Sequence, residues 1–237
     1  MLFGFSTGAL HKQADAKQAL QKIREIGCNA VELGFVRKNR LEQGWLAALD
    51  KSDLIGFEYV SLHAPKLYYQ QNQETSEVLD QLIYAHKNIH PLDLVVFHPD
   101  NVMDIEIFKK LPFPIGFENM DRQKPFGRYV EEIKPIVEAD DNFHFVFDVN
   151  HIKTLKPSRC NVDEFYDQLG HKLAEYHISG LDNEHPHIPL FQTKQTDILD
   201  MIRDLSKPII CESGLTLDNI IKEKNYIKKY LNIINKK

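Results

Sequence analysis

Short apolar runs alternate along the chain with longer stretches in which apolar residues recur at helical spacing. The apolar runs predict eight strands, at Leu2–Thr7, Ala30–Phe35, Tyr59–His63, Leu92–His98, Pro114–Glu118, His144–Asp148, Leu173–His177 and Pro208–Glu212. The stretches between them predict helices at Ala14–Ile26, Leu41–Leu54, Thr75–Ile89, Tyr129–Val137, Val162–Leu169, Thr196–Leu205 and Leu217–Ile234, with a short helix at Asp104–Leu111. This alternation is typical of a parallel sheet with crossover helices.

Eight strand–helix units predict an α/β protein, a single (β/α)8 TIM barrel that forms one domain over residues 1–237. The competing architecture is a doubly wound open sheet. That fold usually has fewer strands and a glycine-rich phosphate loop after the first strand, and the sequence contains no GxGxxG. A chain of 237 residues can bury enough apolar surface to fold without disulfides or a structural metal. Any bound metal is therefore expected to be catalytic.

Composition narrows the partners that the protein can bind. The formal net charge is -5 at pH 7, which argues against tight binding of long DNA or RNA, because that affinity rests on Lys and Arg neutralising phosphates. No apolar run approaches the ~20 residues of a membrane span, and the first ten residues lack the features of a signal peptide. The three cysteines are widely spread and read as reduced thiols. We expect a cytoplasmic protein with no membrane partner and no obligate protein partner.

Ionisable residues stand at the C-terminal ends of six consecutive predicted strands, namely His63, His98, Glu118, Asp148, His177 and Glu212. Side chains at these ends converge on the mouth of a barrel, where barrel enzymes keep their active sites. Any one of them could be an ordinary hydrogen-bonded polar residue, and Asp148 or Glu118 could cap the following helix. Such roles explain one residue at a time and not six together. We therefore expect a shared metal site, since a cation relieves the repulsion among crowded carboxylates.

The ligand types indicate which ion is bound. Imidazoles mixed with carboxylates suit Zn²⁺, Mn²⁺, Fe²⁺ or Co²⁺, whereas Ca²⁺ and Mg²⁺ prefer shells made of oxygen alone. We expect divalent metal ions, zinc first, with one to three per chain. His151 follows Asp148 by three residues, and His185 and His187 lie in the loop before the last strand. Glu32 ends the second strand at the same level and is predicted to contact substrate.

The chain resembles the xylose isomerase-like barrels, the superfamily that also contains endonuclease IV, of the second family of apurinic (AP) endonucleases. The resemblance covers essentially the whole chain, and it implies a core metal site formed by Glu118, Asp148, His177 and Glu212. It rests on short motifs in a specific order, Leu62-His63-Ala64-Pro65, Phe97-His98-Pro99, Glu118-Asn119, Asp148-Val149-Asn150-His151, His177-Ile178-Ser179, His187-Ile188-Pro189-Leu190 and Glu212-Ser213-Gly214.

In the endonuclease branch, the resemblance implies a second ion on His63 and His98, with Glu118 shared. It implies a third ion on His151 with an Asp-x-His pair before the last strand. This chain has His185-Pro186-His187 there, so that His187 matches the pattern and His185 replaces the aspartate. Lys66 stands where the endonuclease pattern has tyrosine, and we predict that it binds substrate.

Hydrolysis of a phosphoester is the first of two reactions that this scaffold supports. Two ions bridged by Glu118 would generate a hydroxide and stabilise the leaving oxygen. The presence of both His63 and His98 favours this hypothesis, which we rank slightly ahead. The substrate would be a small phosphorylated molecule, or an abasic or short nucleic acid.

The alternative is isomerisation or epimerisation of a sugar or sugar phosphate on one ion. Glu118 and Glu212 would then exchange the proton next to the carbonyl, while His151 and His187 bind substrate hydroxyls. A third possibility is a barrel that binds a ligand without turning it over.

Overall fold

The eight predicted strands form a closed parallel barrel in a computed structural model that describes residues 1–42, 44, 46–156, 161–182 and 187–234. Each strand pairs with the next along the chain, and the last pairs with the first. The strands are β1 Phe3–Ser6, β2 Ala30–Gly34, β3 Tyr59–His63, β4 Leu94–Phe97, β5 Ile115–Glu118, β6 Phe143–Asp148, β7 Leu173–Ile178 and β8 Ile209–Cys211. The predicted (β/α)8 fold class is confirmed.

Helices of very different length connect the strands. They are α1 Ala16–Glu25, α2 Lys38–Glu42, α3 Lys51–Leu54, α4 Gln73–Tyr84, α5 Val130–Val137, α6 Val149–Thr154, α7 Val162–Leu169, α8 Leu190–Thr193, α9 Thr196–Leu199 and α10 Ile220–Ile234. Short 3-10 helices span Thr7–Leu10, Pro99–Asn101, Ile105–Lys110 and Gly170–Lys172, and a π-helical turn at Ala85–Ile89 continues α4. No helix in these described ranges is long and apolar enough to cross a membrane.

Two hydrophobic layers follow from the alternation of side chains along the strands. The larger lies between strands and helices, and the smaller consists of Ala30, Tyr59, Leu94, Val96, Val146 and Ile210. Helix α1 shows how local sequence builds the outer layer. Its buried face includes Leu20 and Ile23, and Asp15 caps its first turn in a capping box with Gln18. Gly27, at φ +73°, reverses the chain after the helix.

The prediction of one helix over Leu41–Leu54 is wrong, since the segment forms α2, a turn and α3 instead. Gly44 has φ +72°, a left-handed conformation that ends a helix readily. Asp50 then starts a new helix by accepting a hydrogen bond from the Ser52 N–H at 2.8 Å. The predicted helix at Thr196–Leu205 is likewise shorter, because only Thr196–Leu199 is helical.

A buried carboxylate on α10 fixes the loops beside β8. Glu223 is fully buried and accepts hydrogen bonds from the N–H groups of Leu190 and Phe191, at 2.8 and 2.9 Å. It also accepts a bond of 2.7 Å from the Ser213 hydroxyl. One side chain therefore joins α10 to the start of α8 and to the segment that follows β8.

We predict that Glu223→Ala lowers the free energy of unfolding by about 3 kcal/mol, because it leaves two backbone donors without an acceptor and the Ser213 hydroxyl with only the longer bond to the Ile188 carbonyl oxygen, at 3.3 Å. Urea unfolding followed by circular dichroism measures this. Glu223→Gln keeps one acceptor oxygen and should lose less, and the exposed Glu131→Ala serves as the surface control. An unchanged unfolding midpoint in Glu223→Ala would contradict the assignment.

Candidate active site

The six ionisable residues at the strand ends meet at one end of the barrel. One oxygen or nitrogen from each of Glu118, Asp148, His177 and Glu212 lies within 4.8 Å of the others, and His63 forms a similar group with Glu118 and His177. The closed sheet produces this convergence, because His177 is the last residue but one of β7 and each of the others ends its strand or follows it directly. The structure thus brings together the core ligand set that the resemblance implied.

Glu118 lies at the centre of the cluster, and its two oxygens face different neighbours. Oε1 is 3.0 Å from His177 Nδ1 and 3.7 Å from His151 Nδ1. Oε2 is 3.3 Å from both His63 Nε2 and His98 Nε2. A single carboxylate therefore contacts imidazoles that come from β3, β7 and the segments after β4 and β6.

Asp148 combines the two roles that the sequence left open. Its Oδ1 accepts a hydrogen bond from the His151 N–H at 2.9 Å, which caps α6. Its Oδ2 is buried and accepts no hydrogen bond from the described residues, although His151 Nε2 is 3.4 Å away. Capping thus holds the side chain in place and leaves one oxygen available to a cation.

Burial and neighbouring charge push the pKa values of the cluster apart. Burial raises the pKa of Asp148 to about 6 and that of Glu212 to about 8. Burial acts in the same direction on Glu118, but the contacts with His177, His63 and His98 outweigh it and hold its pKa well below the usual range. A divalent cation among these buried carboxylates would offset their mutual repulsion and stabilise their charged forms.

His63 and His98 lie together on the Oε2 side of Glu118. Their Nε2 atoms are 3.2 Å apart, so three potential ligand atoms are separated by 3.2–3.3 Å. Three ligands at ~2.0–2.1 Å from a tetrahedral ion would be roughly 3.3 Å apart. Burial lowers the pKa of His98 to about 4, whereas at His63 the neighbouring carboxylates, chiefly Glu118, outweigh burial and raise the pKa to about 9. A metal ligand must be neutral, so an ion bound here would displace the proton of His63.

His151 and His187 face the cluster from the segments after β6 and before β8. His151 Nδ1 is 2.7 Å from the Asn119 carbonyl oxygen. His187 has φ 62° and its Nδ1 is 3.3 Å from Ser179 Oγ and 3.9 Å from Glu212 Oε2. The two rings are 6.3 Å apart between centroids. His185, the remaining predicted ligand, lies outside the described residues.

A cavity of about 250 Å³ opens onto this cluster. Lys66, predicted to bind substrate, lines it, as do Glu118, Glu212 and the four histidines His63, His98, His151 and His187. Glu32 does not line it. It is fully buried, and its Oε2 is 3.2 Å from His177 Nε2, so that it contacts a core residue of the site and not the cavity.

Sequence reasoning missed Glu175, which supports the site from below. Glu175 is fully buried, and its Oε1 is 2.8 Å from His177 Nε2. His177 Nδ1 faces Glu118, so the other ring nitrogen, Nε2, donates a hydrogen bond to the Glu175 carboxylate. Glu175 lies two positions before His177 on β7, so strand alternation places both on the inner face. The signal that could have identified Glu175 is a charged residue inside a predicted strand, two positions before a strand-end histidine.

The residues present fit a divalent metal ion. The donor set combines carboxylate oxygens with imidazole nitrogens, Asp148 Oδ2 is a buried oxygen with no hydrogen-bond donor in the described structure, and His177 has a carboxylate behind it. A metal-binding histidine usually has such a partner, which orients the ring and increases its basicity. The donor set is compatible with zinc, manganese, iron or cobalt.

Comparison with known proteins agrees with the fold. The chain superposes on a D-tagatose 3-epimerase-like protein with a TM-score of 0.67 at 20% identity, covering 100% of this chain and 99% of that one. It superposes on the IOLI protein with a binding zinc atom with a TM-score of 0.69 at 14% identity, covering 98% of both chains. A xylose isomerase domain containing protein from Salmonella typhimurium LT2 gives 0.62 at 13% identity, covering 97% of both.

No protein-family profile matches the sequence, and a search of curated proteins finds no match. At these low identities the structural likeness shows the fold alone, and that fold is the (β/α)8 barrel that the strand–helix alternation predicts.

We predict that Glu175→Gln weakens binding of Zn²⁺ or Mn²⁺ about tenfold, because outer-shell carboxylates typically contribute a factor of 10–100 to metal affinity. Glutamine keeps the shape and an acceptor oxygen but removes the negative charge that polarises His177. Competition with a fluorescent chelator measures the dissociation constant. Unfolding of the metal-free protein should be unaffected, and Glu131→Gln controls for loss of a distant carboxylate. Unchanged affinity would contradict a supporting role for Glu175.

Proposed function

We propose that this protein is a metal-dependent isomerase or epimerase that acts on a small sugar or sugar derivative. The observation that carries the proposal is the group formed by Glu118, Asp148, His177 and Glu212, whose ligand atoms lie within 4.8 Å of one another. Two of its carboxylates, Glu118 at the end of β5 and Glu212 after β8, line the same cavity. A carboxylate pair around one ion is suited to moving a proton next to a carbonyl.

The two glutamates divide the proton transfer. One carboxylate removes the proton from the carbon next to the substrate carbonyl and leaves an enediolate. The other glutamate, protonated, returns a proton to the same carbon from the opposite face in an epimerase. In an isomerase the proton goes to the neighbouring carbon, and the hydroxyl proton of the enediolate passes to the other of the two adjacent oxygens, which turns the carbonyl into a hydroxyl and the hydroxyl into a carbonyl. His151 and His187 line the cavity beside them and would bind substrate hydroxyls. A divalent metal ion bound here would act as a Lewis acid towards the two adjacent substrate oxygens.

The comparisons support this hypothesis over the phosphoester hydrolysis that we ranked first from sequence. The matched structures include a D-tagatose 3-epimerase-like protein and a xylose isomerase domain containing protein, each matched over almost its whole length. A third was solved with zinc. We therefore propose one catalytic divalent ion as the cofactor, zinc first, and a small carbohydrate as the substrate.

Hydrolysis keeps one specific observation in its favour. His63 Nε2, His98 Nε2 and Glu118 Oε2 form a second compact group of potential ligands beside the core site. A second ion there would give the paired centre that phosphoester hydrolysis uses.

Metal counting separates the two functions. For the isomerase we predict one tightly held ion per chain after dialysis, measured by elemental analysis, and the same count in His98→Asn. Two ions per chain, with one lost in His98→Asn, would instead support hydrolysis. Nitrophenyl phosphodiesters, abasic DNA and ketoses then serve as the matching activity screens.

Glu118→Gln should abolish activity, with a loss of at least about a thousandfold, since it removes a proton-transferring carboxylate and a metal ligand together. Incorporation of deuterium from D₂O into a panel of ketoses and aldoses, followed by proton NMR, detects the reaction whichever sugar is the product. Glu131→Gln is the matched surface control, and circular dichroism checks folding. Retention of exchange in Glu118→Gln would remove this residue from the mechanism.

A further inference from the structure

Two positively charged side chains stand side by side at the mouth of the cavity. Arg37 follows β2 and Lys66 follows β3, and both are exposed and line the cavity. The Lys66 N–H donates to the Val36 carbonyl oxygen at 3.0 Å, which ties the two loops together. Because Val36 directly precedes Arg37, this bond fixes the two cationic residues on one side of the opening.

Within the described part of the chain, neither cation is neutralised by a neighbour. Lys38 is 3.2 Å from Glu42 and also contacts Glu74, while Lys124, on the segment after β5, is 2.7 Å from Asp100. Over the described residues, by contrast, neither Arg37 nor Lys66 has a carboxylate oxygen within 4.0 Å. The chain carries a formal charge of -5, so unpaired cations placed together on one side of a cavity are notable in an acidic protein.

Lys66 shares the cavity with two imidazoles, because His98 and His187 line it as well. His98 follows β4 and His187 precedes β8, so these residues stand on different sides of the opening. A molecule held between the two imidazoles therefore lies in the same cavity that the Lys66 side chain lines.

The rest of the lining is polar and charged. Small-molecule pockets are lined mainly by hydrophobic and aromatic side chains. The described lining contains no Trp, Tyr or Phe, and it carries the cations Arg37, Lys66 and Lys124 beside the carboxylates of Glu118, Asp121 and Glu212. Recognition at this mouth thus depends on charge and hydrogen bonds. A guanidinium binds phosphate or carboxylate with two parallel hydrogen bonds, and an ammonium adds a point charge.

We infer that the substrate is an anionic sugar whose phosphate or carboxylate binds to Arg37 and Lys66 at the mouth, while its reacting carbon lies between Glu118 and Glu212. This inference rests on the proposed isomerase or epimerase function, and it narrows the substrate to sugar phosphates or sugar acids.

Titration calorimetry on the metal-loaded full chain tests the inference with three ligands that share one skeleton: D-fructose, D-fructose 6-phosphate and D-fructuronate. We expect at least one of the two anions to bind ten or more times tighter than D-fructose. Arg37→Ala/Lys66→Ala should reduce that preference to less than threefold, because the variant lacks both cations that select the anion. Tighter binding of the phosphate ester than of the acid assigns a phosphate group, and the reverse assigns a carboxylate.

Lys38→Ala is the matched control, since it removes a neighbouring cation that is paired with Glu42 and Glu74 and does not line the cavity. It should keep the full preference for the anion. The metal content of each variant is measured as well, so that a change in affinity cannot arise from loss of the ion.

The two proposals fail in different ways. Equal affinity for all three ligands, or a preference that survives in the double variant, overturns the anionic-substrate inference, whereas deuterium exchange into neutral sugars would still support the isomerase. A strong preference that Arg37 and Lys66 control, without deuterium exchange into any sugar, supports the binding site and counts against the proposed reaction.

Discussion

The contact of the Glu118 carboxylate with the surrounding imidazoles is the interaction on which this site depends. His177 and His151 lie on its Oε1 side, and His63 and His98 lie on its Oε2 side. Such crowding within a buried cavity is stable only when charge is balanced, and here the low pKa of Glu118 shows that the imidazoles stabilise its charged form. At Glu212, by contrast, burial raises the pKa to about 8, so its charged form is stabilised less by the neighbouring imidazoles.

The barrel supplies this arrangement through strand alternation. Inward-facing positions follow one another at every second residue, so Glu175 stands directly below His177 on β7. Glu32 on β2 approaches the same imidazole nitrogen from another strand, at 3.2 Å. The candidate ligands thus stand on a second layer of buried carboxylates, which in turn lies above the apolar residues that fill the barrel interior. The rigid sheet, and not the loops, fixes the core of the site.

Much of this could be predicted from the sequence, because apolar runs and strand-end polarity are local signals. The prediction placed β3 at its observed bounds and gave six site residues that meet in the structure. The break between α2 and α3 was missed because helical spacing continues through Gly44, whose positive φ decides the outcome. The position of Arg37 beside Lys66 depends on the contact between the loops that carry them. Single-sequence patterns carry no information on such contacts.

Each of three histidines has one ring nitrogen that faces Glu118 and one that faces away from it. The partners of the nitrogens that face away bear on whether the site holds one ion or two. His177 has the Glu175 carboxylate at 2.8 Å behind it, as expected of a strong metal ligand. His63 has only the Ala64 carbonyl oxygen at 3.3 Å among the residues described. His98 Nδ1 has no hydrogen-bond partner in the same described ranges and is 4.0 Å from Asp100 Oδ1. The protein therefore orients the core ligand firmly and the other two weakly. This difference supports the proposal of a single ion that leaves His63 and His98 available to a substrate.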